Sequence, residues 1–134
     1  MSNKSNNATF NRPQGSRPID APVLVTHIEE SVQLLESEEA WQKNNRNAVT
    51  LFKTEGFSTV LVALHKGADI TDNVTEGILS IQVLSGSVEV QLEDKKVIAG
   101  KGELVFMHRL QQHVIKALED CRLLAALTGE KNIY

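Results

Sequence analysis

The chain has 134 residues, one cysteine and a net charge of −3, which favours a single domain with one hydrophobic core and excludes an intramolecular disulfide. It is 41% hydrophobic and 23% charged, as in ordinary globular proteins, and no apolar run approaches the ~18 residues that suggest a membrane span. Lys4, Arg12 and Arg17 meet no acidic residue before Asp20, so the remainder carries 11 basic against 17 acidic residues, a poor match for nucleic acid.

Residues 1–19 are rich in Asn, Ser, Arg and Pro, with Phe10 and Ile19 as the main bulky apolar side chains. Such a segment cannot bury enough surface to fix its own backbone, so a flexible arm is expected. It also lacks the apolar stretch of a signal peptide. A single thiol suits a reducing compartment. Together these lead to the expectation of a cytoplasmic protein.

Residues 20–134 read as one domain. It begins with a helix over about 27–42. Thr26 and Glu29 have the spacing of a capping box, and Ile28, Val32 and Leu35 fall on one helical face. Trp41 is expected to anchor packing, and residues 43–47 read as a turn.

From Ala48 onward, short apolar runs alternate with turn signals, the pattern of an all-β sandwich or barrel. Strands are predicted over 48–53, 59–65, 78–84, 87–92, 96–98, 103–107, 113–118 and 122–127. The cleanest alternation sets Val88, Val90 and Leu92 against Glu89, Gln91 and Glu93. One face is dry and the other wet. Cys121 opens the last strand, where a buried inert thiol is the default. His65 and His27 are expected to be structural or solvent-facing.

Two spacings carry a resemblance. The first is Gly67, Asn73, Thr75, Leu79, Gly86, and the second is Gly102, His108, Leu110, His113, Ala117. Over about 48–127 the sequence resembles the cupin superfamily, whose first motif places Gly, two His, Glu and Gly at the first set of positions. The second motif places Gly, Pro, Gly, His and Asn at the second set. The three glycines Gly67, Gly86 and Gly102 and the ligand-position His113 match. Asn73, Thr75 and Leu79 replace the other metal ligands, and Leu110 replaces a glycine. The run from Glu39 to Lys53, with His108 at the proline position, is similar to a subgroup of small bacterial cupins of unassigned function. The resemblance implies a single double-stranded β-helix, or jelly-roll, barrel behind a short helix, and a homodimer.

At strand spacing, residues 73, 75 and 79 share parity and point to one face, which in a metal cupin is the interior. An amide, a hydroxyl and an isobutyl group make a poor ligand set beside the roughly three good donors of a catalytic zinc site. Asp72 and Glu76 have the wrong parity to replace them. The expected function is therefore binding of a small molecule in the barrel without metal or other cofactor. The ligand-binding candidates are Asn73, Thr75, Leu79, His108 and His113. The alternative is a metal-dependent cupin enzyme, dioxygenase or isomerase in type, holding a divalent transition metal with His108 and His113. A third reading is a solid barrel filled by its own side chains. The residues do not choose between catalysis and binding, and they encode no substrate class.

Overall fold

The computed structural model describes residues 4–6, 17–71 and 76–129. In chain order the elements are strands β1 (Lys4–Asn6) and β2 (Arg17–Asp20), helices α1 (Ile28–Ser37) and α2 (Glu39–Lys43), then β3 (Arg46–Thr54), β4 (Phe57–Leu64), β5 (Asp69–Ile70), β6 (Leu79–Ser85), β7 (Ser87–Gln91), β8 (Lys96–Gly100), β9 (Leu104–Met107), β10 (Val114–Ala117) and β11 (Cys121–Thr128). A five-stranded sheet in the order β3-β4-β11-β6-β9 faces a four-stranded sheet in the order β5-β10-β7-β8. Every pairing is antiparallel. This is the all-β fold that the strand pattern predicts, and the jelly-roll barrel with a short helix that the resemblance implies.

The two-residue side-chain period builds the core. On β4, Val60, Val62 and Leu64 enter the barrel, while Leu61 and Ala63 face outward under the helix. Both faces of this strand are covered, which is why residues 60–64 read as one unbroken apolar run rather than an alternation. On β7 only Val88 and Val90 are buried, so the alternation there is clean. Val32 and Leu35 of α1 close the second, smaller cluster against Val49, Leu51, Leu61 and Ala63.

The helical segment differs from the expected continuous 27–42. It breaks at Glu38, whose backbone is extended. Asn47 accounts for the break. Its Nδ2 donates to the Leu35 carbonyl at 3.0 Å and to Glu38 Oε1 at 2.9 Å, all of it buried. The carbonyl that a continuing helix would have used is thus satisfied from the sheet. The capping box also does not form: His27 is the N-cap, and no side chain caps the first turn.

Of the N-terminal region, Lys4–Asn6 pairs with Arg17–Asp20, and Ile19 and Asp20 are buried. Strand β5 is absent from the sequence reading because two residues carry no period. It is held by β10, with Ile70 opposite Ile115.

Candidate functional site

The barrel interior is one continuous apolar cluster in which Ile81, Val83, Val88, Ile115, Leu123 and Ala125 have no exposed surface. It opens beside β8. Val97 pairs with the buried Val90 and so faces inward, yet it is 37% exposed. Leu92 and Val105 are also only partly buried against the cluster. The topology brings Leu79 and Met107, which pair across β6 and β9, to the same end of the barrel as His113. The turn from the end of β9 to the start of β10 joins them.

His113 is 4% exposed. Its Nδ1 lies 2.9 Å from the Gln111 carbonyl. A carbonyl oxygen can only accept, so the neutral ring carries its proton on Nδ1 and presents Nε2 as the acceptor nitrogen. The side chain belongs to the residue before β10, whose alternation sends His113, Ile115 and Ala117 inward. His108 has the opposite orientation. It is exposed, and its Nδ1 accepts the Arg109 backbone N–H at 3.0 Å.

Between the two histidines the chain makes a turn in which the Gln111 N–H donates to the His108 carbonyl at 3.3 Å. Leu110, the third residue of this turn, has φ +60°. It is the described non-glycine residue in the left-handed region, and it stands at the glycine position of the second motif. The backbone there has the conformation that favours glycine. That conformation costs an L-residue roughly 1–2 kcal/mol, and the side chain recovers little, being 65% exposed. Leu110→Gly is expected to raise stability by about 0.5–1 kcal/mol, net of glycine's greater freedom when unfolded. The check is a higher urea midpoint with an unchanged slope. A lower midpoint would show that the turn is not strained.

Of the five predicted site residues, the structure buries Leu79 and His113 inside the barrel and leaves His108 at the surface. Asn73 and Thr75 lie outside the described residues. Among the described residues, the donors do not fit the metal of the resemblance. Leu79 has no donor atom, His108 points to solvent, and among the described residues no three His, Cys, Asp or Glu side chains come together as ligands. One imidazole falls well short of the roughly three ligands of a catalytic zinc site. Val97 and Met107 join the candidate site from structure alone. Val97 sits on a short edge strand next to lysines, where no alternation marks it as inward-facing.

A concave region lies outside the barrel, beneath the elbow between α1 and α2. It has a volume of about 400 Å³ and is lined by Glu36, Trp41, Ser85, Asp120 and Arg122, among others. Its charges are already paired. Arg122 bridges to Glu36. Asp120 Oδ1 accepts the Lys66 N–H at 2.7 Å, and its Oδ2 lies 3.8 Å from His65 Nδ1. His65 stacks on Trp41 with ring centroids 3.5 Å apart and bonds the Trp41 carbonyl through Nε2. The cluster ties the helices to the barrel, in keeping with a structural His65 and an anchoring Trp41.

No protein-family model and no curated protein matches the sequence. Solved structures do match. A cupin superfamily protein from Desulfitobacterium hafniense superposes with a TM-score of 0.66 at 15% identity, over 95% of this chain and 99% of that one. KdgF from Halomonas sp. gives 0.61 at 22% identity, over 66% and 82% of the two chains. The polyketide cyclase RemF from Streptomyces resistomycificus gives 0.58 at 20% identity, over 68% and 72%. At these identities the likeness is one of fold, and the fold is that of the cupin superfamily.

Proposed function

We propose that this cupin-fold chain binds one small, mainly apolar molecule in the end of its barrel, without a metal, and that it works as a homodimer. The observation that carries the binding site is the exposed yet inward-facing Val97. It marks the edge at which an otherwise densely packed interior is least covered. Leu79 and Met107 supply an apolar wall there, and His113 supplies a buried polar group fixed by its own backbone bond. An apolar concavity with few, well-held polar groups is the usual make-up of a small-molecule site. Asn73 and Thr75 would add polar contacts on the first-motif side. Imidazole there can also exchange a proton with a bound molecule.

A fragment screen read by backbone amide NMR tests this. Fragments are expected to shift the resonances of Val97, Met107 and His113. Their affinity should fall by about tenfold or more in His113→Leu, the loss that follows when a buried polar contact is removed. Fragments that bind elsewhere, or bind His113→Leu equally well, would overturn the site. A stoichiometric transition metal in protein purified without an affinity tag, lost in His113→Ala, would overturn the metal-free reading.

A further inference from the structure

We infer that the hollow beneath the elbow of α1 and α2 is a binding site, separate from the barrel end, for a neutral polyhydroxylated molecule the size of a monosaccharide or cyclitol.

The sheet register builds its floor. Arg122, near the start of β11, pairs with Ala63 on β4 and with Ser85 at the end of β6. Ala63 faces outward under the helices, so its cross-strand partners project the same way. Two small side chains flank the long one, which keeps the floor open around the guanidinium. Glu36 lines the hollow from α1, Trp41 from α2 and Asp120 from the turn before β11, and its volume is about 400 Å³. That lies within the ~300–1,000 Å³ of small-molecule sites.

The polar groups are held in place, yet not used up. Arg122 donates to Glu36 through Nη2 alone, with Oε2 at 3.1 Å and Oε1 in closer contact. Arg122 Nε and Nη1 donate to no described residue, and neither do the Trp41 indole N–H and the Ser85 hydroxyl. Asp120 Oδ1 accepts the Lys66 N–H at 2.7 Å, while Oδ2 lies 3.8 Å from His65 Nδ1, beyond hydrogen-bond reach. Three lining side chains thus keep donors to spare, and one carboxylate oxygen remains as an acceptor. The ion pair fixes Arg122, the backbone bond fixes Asp120, and the stack on His65 fixes Trp41. Little is left to order when a ligand arrives.

The charges select the ligand class. Two carboxylates and one guanidinium line the hollow. An anion drawn to Arg122 also meets Glu36 and Asp120, and a cation drawn to Asp120 also meets Arg122, so each gains little. A hydroxyl group both donates and accepts. A molecule with several of them offers oxygens to Arg122, Trp41 and Ser85 and a proton to Asp120 Oδ2. It brings no charge to desolvate.

Amide NMR titrations of the full chain with D-glucose, D-galactose and myo-inositol test the site, against sodium acetate, tetramethylammonium chloride and glycine at equal concentrations. At least one of the three polyols is expected to saturate with a Kd of about 1 mM, shifting Ser85, Asp120 and Arg122. Ser85→Ala and Trp41→Phe are each expected to weaken it about fivefold, the effect of one lost hydrogen bond, with far-UV circular dichroism as the fold control. Tighter binding of acetate, tetramethylammonium or glycine overturns the ligand class. The site itself is overturned by three polyols that all fail to saturate, by shifts confined to Val97, Met107 and His113 at the barrel end, or by affinities unchanged in both variants.

Discussion

Gly86→Ala is expected to abolish cooperative folding, with a cost beyond about 4 kcal/mol, whereas Gly102→Ala should cost only about 1–2 kcal/mol. Both glycines have positive φ, +80° and +85°, so conformation alone does not separate them. Space does. A Cβ on Gly86 would lie 2.4 Å from the Asp120 carbonyl oxygen and 2.7 Å from Cys121 Cβ. A Cβ on Gly102 would meet nothing within 4 Å. Gly86 joins β6 to β7, the point where the chain leaves the five-stranded sheet for the four-stranded one. The β10–β11 turn crosses it there, and the Leu118 N–H bonds the Ser87 carbonyl at 3.0 Å. An added methyl must push that turn away, and with it the first residues of the central strand β11. Neither neighbour is the free end of a flexible side chain, so little can yield. Urea unfolding of both variants is the measurement. Equal, small losses would show that the corner is softer than its contacts imply.

These glycines also show what was legible in the sequence. Gly67, Gly86 and Gly102 stand at motif spacing, and all three have positive φ in the structure. The barrel strands were readable wherever one face is wet, as on β7, because alternation then records the geometry directly. The helix break was not readable. It depends on Asn47 reaching back to Leu35 and Glu38, a long-range contact that local periodicity does not encode. Leu110 illustrates the converse. A leucine there gives no local sign of a left-handed turn, and the turn is legible only through the spacing it inherits from the motif. At the site, parity together with the resemblance was enough to place Leu79 on the interior. The sequence left His113 and His108 as possible partners, and the structure puts one inside and the other on the surface.

Cys121 provides the second large expected effect, and its sign follows from burial. The thiol is 2% exposed and opens β11 inside the barrel cluster. Its pKa is pushed from 9.0 up to about 12, first by burial and then by the charges of Asp120 and Glu119. Below pH 9 both folded and unfolded chains hold the proton, and the group has no influence on stability. Between pH 9 and about 12 the unfolded chain releases the proton and the folded chain keeps it. The folded state then binds more protons, so stability falls as pH rises, by about 1.4 kcal/mol for each pH unit. Over that window the loss approaches 4 kcal/mol, a large share of the ~5–15 kcal/mol that holds a typical domain together. Cys121→Ala removes the group at the cost of a small cavity, so it starts less stable than wild type. Its deficit is expected to shrink steadily above pH 9 and then reverse. Urea unfolding of the pair at several pH values reads this directly. A deficit that stays constant from pH 8 to 11 would mean that the thiol ionises in the folded barrel as easily as in water. In that case β11 would open to solvent far more readily than its packing against β4 and β6 implies.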